Sequence, residues 1–191
     1  MDKISLEKES LVTVDTMILL VTFQNFSGVH CCKILIKFAN RKVNSNFQIK
    51  TMTPEKRKLM TDSFSRSETL KFYNAQLLEV ETDFVSIKIP KMEMMTRTAG
   101  MFNGAMIASL VDVSSGYAAV SHYEQDCYVV TVELKVNYLR PAIGDALISK
   151  AYVVKGGSKI SVIRTEIYTV NEDHSSESHV ATSLVTMMKI K

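Results

Sequence analysis

The sequence predicts an α+β fold in which a curved antiparallel sheet of about six strands wraps around one long central helix. The first observation behind this is the run NGAMIASLVDVSSGYAAV, residues 103–120. It is apolar on almost every side, rich in alanine and methionine, and too long for a strand. The second is what surrounds it, a set of short segments that alternate apolar and polar residues and are separated by turn residues. A helix with no polar face must be enclosed. With that many strands available, a sheet curling around the helix is the economical way to enclose it.

At 191 residues the chain allows one ordinary domain and an appendage. Residues 1–52 read as an N-terminal extension and 53–191 as the domain. The extension has no clear period, and Thr16 to Thr53 holds five basic residues and no acidic one. A short buried element, a transit-peptide-like stretch and an internal start at Met52 or Met60 all fit that composition. Order is expected to begin at Thr53-Pro54-Glu55, an N-cap followed by proline at the first helical position and an acid in the first turn. Leu59, Met60 and Phe64 then recur at helical spacing, and Ser65-x-x-Glu68 offers a second capping box, which predicts a break.

Two strands follow, Ala75 to Glu81 and Phe84 to Pro90, joined at Thr82-Asp83. In the second, Val85, Ile87 and Ile89 alternate with Ser86 and Lys88. A methionine-rich connection leads to the long helix. Beyond it, Val130, Val132, Leu134, Val136 and Tyr138 alternate with Thr131, Glu133, Lys135 and Asn137, the strongest period-two signal in the chain, which Arg140-Pro141 stops. Ala146 to Lys155 is the next strand, Gly156-Gly157 the turn, and Ile160 to Val170 the strand after it. Asn171 to Glu177 closes a longer hairpin onto Val180 to Ile190.

Composition narrows the function classes. Apolar residues make up 46% and charged residues 23%, as expected of a soluble globular chain. A net charge of +3 suits a phosphate-bearing small molecule, but is too weak and scattered for nucleic acid. Cys31, Cys32 and Cys127 form neither a disulfide framework nor a zinc pattern, which suggests a reducing, cytoplasmic setting. The apolar stretch Met17 to Phe23 falls short of the roughly 20 residues of a membrane span. Asp2, Glu7, Glu9 and Asp15 before it are wrong for a secretory signal, so the Asn25-Phe26-Ser27 sequon is read as chance. His30, His122, His174 and His179 lack metal-ligand spacing and no G-x-S-x-G elbow occurs, so no metal or cofactor is expected.

One residue of the central helix does not fit an apolar core. Asp112 is the only acid between Glu93 and Glu124. A carboxylate in apolar surroundings is costly. Either it reaches a backbone N–H or edge water, or it belongs to a functional site. Asn103 is a good N-cap residue, leaving Gly104, Ala105 and Met106 as a first turn with free N–H groups. Such groups, with the helix dipole, stabilise developing negative charge, and a glycine lets a carbonyl approach closely. The plainer alternative is that Gly104 eases packing at the helix start. Eight residues of α-helix separate Gly104 from Asp112, about 12 Å at 1.5 Å per residue. A base and an oxyanion donor must both act within roughly 3 Å of one reacting centre. If both residues are catalytic, Gly104 of one subunit must work with Asp112 of its partner.

Residues from about Ser63 to Met188 resemble the hotdog acyl-CoA thioesterases, in particular the branch around the phenylacetyl-CoA thioesterases. Three stretches carry the resemblance, in order and spacing: GMFNGAMIASLVDVSSGYAA, VTVELKVNYLRPAIGD and VVKGGSKISV. It implies a hotdog fold, hydrolysis of an acyl-CoA to free acid and CoA, and sites shared across a two-fold homodimer that pairs into a dimer of dimers (a homotetramer). Gly104 takes the position whose N–H polarises the thioester carbonyl. Asp112 is the general base or the nucleophile, and Thr131, on the predicted polar face of its strand, matches a hydroxyl that positions the attacking water. Arg140, Lys155, Gly157 and Lys159 flank the turns that hold the nucleotide end of CoA. Met92, Met94, Met95, Met101, Met106, Tyr117 and Tyr138 divide between core and acyl pocket. The chain departs from the pattern in three places. Asn103 stands for the usual histidine, Ala105 for a second glycine, and Arg97 for an asparagine that faces the thioester. The alternative reading is a catalytically silent hotdog protein that binds acyl-CoA. A dehydratase would want a histidine paired with an acid on the helix, and His122 sits at the wrong end.

Overall fold

In a computed structural model of the chain, residues 51–124, 126–171 and 177–190 are described, and all of them fall in a compact unit, Gln48–Lys191. Apart from Thr51 and Met52, the expected extension lies outside the described residues, as do Met17 to Phe23, His30, Cys31, Cys32 and His174.

Helix α1 (Pro54–Arg66) starts as its residues dictate. Thr53 sits in extended backbone at the N-cap, its hydroxyl accepts the Lys56 N–H at 3.2 Å, and Pro54 fills the first position. The expected break is present, but the capping box is not. Ser65 donates its hydroxyl back to the Asp62 carbonyl at 3.0 Å, while Ser67 carries the extended residue between α1 and α2 (Glu68–Phe72). A serine inside a helix has a backbone acceptor one turn back, and that local bond wins.

The strands are β1 (Gln76–Glu81), β2 (Phe84–Pro90), β3 (Val129–Tyr138), β4 (Ala146–Gly156), β5 (Ile160–Val170) and β6 (Glu177–Lys189), with helix α3 (Gly104–His122) between β2 and β3. They form one sheet in the order β1-β2-β4-β5-β6-β3, antiparallel at every pairing. Helix α3 lies against all six strands. Gly156 belongs to β4 rather than to the turn, which runs from Gly157 to Lys159 and is closed by the Gly157 N–H donating to the Ile160 carbonyl at 2.9 Å. A side chain at 157 would come within 2.7 Å of that same oxygen.

The registers put Val85, Ala151, Thr165 and Ser183 in one row beneath α3, and Ile87, Ser149, Ile167 and Ala181 in the next. Large aliphatics alternate with small residues, and each fully buried Ile, Leu or Val contributes roughly 1.5–3 kcal/mol. On the second half of α3 the facing residues are small: Ser114, Ser115, Ala118 and Ala119 are all completely enclosed, while Ile107, Leu110 and Val111 are buried nearer its start. The buried hydroxyls are satisfied. Ser115 Oγ and Thr165 Oγ1 are 2.8 Å apart, and Ser114 Oγ donates to the Leu110 carbonyl at 2.6 Å.

Strand β3 departs from strict alternation. Its pairing jumps from Thr131 opposite Met187 to Glu133 opposite Thr186, so Val132 is an extra residue in a β-bulge. Val129 packs inward before the bulge, and Leu134 and Val136 after it, whereas Val130 and Val132 are 39% and 57% exposed. Thr131 therefore shares the helix side with Met187 instead of the polar face that simple alternation assigns it.

The small residues of α3 set its distance from the sheet, so enlarging one should overpack the interface. Ala118→Leu is expected to lower the unfolding free energy by about 1–3 kcal/mol, read from urea denaturation followed by circular dichroism.

Candidate active site

The chain is led into α3 by two backbone bonds. Phe102, buried, donates its N–H to the Ala142 carbonyl at 2.9 Å, and Asn103 donates its own to the Met95 carbonyl at 2.8 Å. Asn103 caps the helix as expected, its Oδ1 accepting the Ala105 N–H at 3.0 Å. The Met106 and Ile107 N–H groups reach the Asn103 carbonyl at 3.0 and 3.3 Å. Tyr138, the last residue of β3, lays its ring beside Gly104 and donates its hydroxyl to the Gly104 carbonyl at 2.9 Å. One amide is left over. Among the described residues the Gly104 N–H, half-buried at the positive end of the helix dipole, meets no acceptor.

Asp112 lies half-buried in the third turn of the same helix and accepts a 2.5 Å bond from Thr131 Oγ1, which is also 3.4 Å from Met187 Sδ. An O–H to carboxylate bond of that length is charge-assisted. The Val132 bulge is what turns the hydroxyl toward the acid. Helix α3 is continuous from Gly104 to His122, so the Gly104 amide and Asp112 stay about 12 Å apart within one chain.

The residues singled out from sequence fall into two sets. Asn103, Gly104 and Ala105 form one turn, and β3 ends beside them at Tyr138, shortly before the exposed Arg140. Arg97, also exposed, opens the tight turn that leads to them, its N–H donating to the Met101 carbonyl at 2.8 Å. Lys155, Gly157 and Lys159 lie at the other end of α3. There the Tyr123 hydroxyl donates to the Gly157 carbonyl at 3.1 Å, and the Lys189 N–H to the Lys159 carbonyl at 2.7 Å. Asp112 and Thr131 belong with the second set, since Thr131 pairs with Met187, next to the Ile160–Met188 pair that borders the turn. Thus Asp112 and Thr131 are brought together, and neither is brought to Gly104.

Other candidates resolve differently. Tyr117 packs on Phe64 of α1 with ring centroids 5.6 Å apart, Met95 is fully buried, and Met94 is 62% exposed. His122 Nδ1 lies 2.6 Å from Asp83 Oδ1 at the C-terminal end of α3, remote from Asp112 as expected. Burial pushes the Cys127 thiol up, against the pull of Lys56 and Lys189, so it is a poor nucleophile. The Tyr138 contact was not foreseen in this form. Nothing near either residue in sequence signals it, because strand end and helix start meet only in the folded chain.

Comparison with known proteins agrees with this fold. The thioesterase superfamily profile matches residues 99–174. A thioesterase family protein from Silicibacter pomeroyi is 30% identical, with 70% of this chain and 97% of that one covered and a TM-score of 0.66. The PaaI protein of the phenylacetic acid degradation operon of Escherichia coli has the same fold at 19% identity, with coverage of 72% and 94% and a TM-score of 0.62. The medium/long-chain acyl-CoA thioesterase YigI of Escherichia coli K12 is 24% identical over 128 residues, 59% of this chain and 79% of its own.

The Thr131 hydroxyl offers a direct check. Thr131→Val keeps the strand but removes the bond to Asp112, and is expected to slow thioester hydrolysis about 10- to 100-fold. Thr131→Ser should retain most of the rate, with both variants compared by thiol release and by melting temperature.

Proposed function

The chain belongs to the thioesterase superfamily and is a thioester hydrolase of hotdog fold, and we propose that it cleaves acyl-CoA to free acid and CoA at sites shared between two subunits. One observation carries the shared site. A single unbroken helix bears both an open amide at Gly104 and a hydroxyl-bound carboxylate at Asp112, too far apart to serve one substrate. A two-fold axis solves this by facing the first turn of one α3 with the third turn of the other. Strand β3 supports the arrangement. It is an edge strand, bonded to β6 on one side only, and its Val130 and Val132 are exposed. Two copies of β3 can pair antiparallel across such an axis. A dimer of dimers would build on the same unit.

In this reading the thioester oxygen accepts the Gly104 N–H of one subunit. The partner's carboxylate at position 112, oriented by the Thr131 hydroxyl, takes a proton from water as the water oxygen attacks the carbonyl carbon. The tetrahedral intermediate collapses with cleavage of the C–S bond, and the proton passes to the departing CoA sulfur. Attack by the carboxylate itself, giving a mixed anhydride that water then opens, uses the same atoms. A thiol's pKa lies near 8.5, so thiolate leaves with little help from an acid, and a site without a histidine is chemically sufficient. Lys155 and Lys159 would reach the site from the Asp112 side, and Arg140 and Arg97 from the Gly104 side, where the phosphates of CoA need cations. The relative named as a medium/long-chain acyl-CoA thioesterase supports CoA as the carrier. The cysteine usage favours a cytoplasmic setting, and among the described residues no helix is long and apolar enough to cross a membrane.

The test is thiol release over short, medium, long and aromatic acyl-CoAs. Asp112→Asn is expected to lower kcat by about 10³-fold or more with unchanged circular dichroism. Gly104→Pro removes the amide proton at a helix position where proline is favoured. Because its Cβ would also press on Tyr138 at 3.3 Å, it is read against Gly104→Ala, which keeps the amide, and should cost about 10²- to 10³-fold more than that variant. Neither Asp112→Asn nor Gly104→Pro works alone, yet mixed subunits should recover about a quarter of the parent activity, because half the dimers are mixed and each holds one intact site. Acyl-CoA affinity without turnover on any substrate would point to the silent binding protein instead, and full activity in a strict monomer would end the shared-site proposal.

A further inference from the structure

We infer that Tyr138 is a positioning residue for the hydrolysis, acting through Gly104 rather than on substrate. The inference rests on the shared-site reading above and goes beyond it. The peptide unit joining Gly104 to Ala105 has two polar ends, and side chains grip both. Its N–H is bonded to Asn103 Oδ1 at 3.0 Å, and its carbonyl accepts the Tyr138 hydroxyl at 2.9 Å. The amide proposed to bind the thioester oxygen belongs to the preceding peptide unit, whose carbonyl end is held by the Met106 and Ile107 N–H groups and which meets this one at the Gly104 Cα. Glycine is the residue whose backbone is least restrained by its own side chain, and helix first turns are otherwise weakly held.

Tyr138 fills that gap sterically as well. The site a Cβ would occupy at 104 lies 3.3 Å from the tyrosine Cζ and 3.4 Å from its Cε1 and hydroxyl oxygen. The ring takes the place of the missing side chain, limiting rotation at Gly104 while leaving the face toward the substrate open. Core filling does not explain the placement, since Tyr138 is 54% exposed at the end of an edge strand. Because Asn103 occupies the Ala105 N–H, the first turn offers one amide to an oxyanion, and its direction matters more than where two donors share the charge.

Tyr138→Phe keeps the ring and removes the clamp. With an acyl-CoA that the parent protein cleaves, the variant is expected to lose about 10-fold in kcat, with KM and melting temperature unchanged, the split that marks an interaction made in the transition state. Asn103→Ala should lose kcat to a similar extent, together with the lower melting temperature expected of a lost helix cap. The double variant should fall short of the product of the two kcat losses, because both act on one peptide unit. Full kcat in Tyr138→Phe, in a protein that Asp112→Asn silences, would overturn this inference alone. A loss of kcat matched by loss of melting temperature would overturn it too, by making Tyr138 merely structural. Absence of turnover in the parent protein would bring down the shared-site reading and this inference with it.

Discussion

A helix without a polar face has to be covered from every direction, and α3 imposes that demand on everything around it. Val111, Ala118 and Ala119 are wholly enclosed, and so are Ser114 and Ser115, their hydroxyls bonded within the core. A flat sheet covers one side of a helix. Covering more requires the sheet to bend and its strands to be long, which the 11 to 13 residues of β4, β5 and β6 allow. The small residues in the C-terminal half of α3 let the sheet approach closely, and the large aliphatics that fill the space come from the strands and from Ile107, Leu110 and Val111 nearer the helix start. The polypeptide that wraps α3 thereby also fixes it as one straight, unbroken rod. Rigidity of that kind sets the spacing of anything mounted on the rod.

The two groups proposed to act on the substrate are mounted on it, and their spacing follows from helical rise alone. The first-turn amide and the third-turn carboxylate cannot converge by any bend the core would tolerate. The shared site proposed above is thus less an embellishment than a way for a single buried helix to supply both partners of a hydrolytic reaction. The position of Asp112 fits this account. It lies where α3 passes β3, one of the two edge strands of the sheet, where the proposed second subunit would approach. A carboxylate deeper among β2, β4 and β5 would be equally costly and out of reach.

Much of this was legible in the residues. Helix starts read correctly at Thr53 and Asn103 because capping is local: a side chain, an extended residue and an N–H two or three positions on. Inward strand positions read correctly at Val85, Ile87 and Ile89, all buried, although Ser86 between them is buried as well. One failure was local and one was not. The Ser65 box lost to a carbonyl one turn back, a competition the motif does not encode. The face of Thr131 was misassigned because the bulge at Val132 depends on how β3 meets β6, and the sequence VTVEL carries no glycine to announce it. That error concerned the residue that matters most beside Asp112. A perfect alternation would have placed the hydroxyl outward with Glu133 and Lys135, away from the acid.

The departures at 103 and 105 can now be weighed as chemistry rather than as mismatches. A histidine at the N-cap accepts an amide proton only through an unprotonated ring nitrogen, so its cap weakens as pH falls through the imidazole range. The Asn103 amide oxygen accepts at every pH and donates no charge. What is lost is a group able to give a proton or strengthen the local field, which an amide or ester leaving group would need and a thiolate does not. Ala105 changes less than it seems, because its N–H is already held by Asn103, so a glycine there would add flexibility without freeing a donor. The substitutions therefore remove acid chemistry and keep electrostatic chemistry. Under the proposed mechanism, the first turn they leave suits good leaving groups, a thioester better than an amide or an alkyl ester.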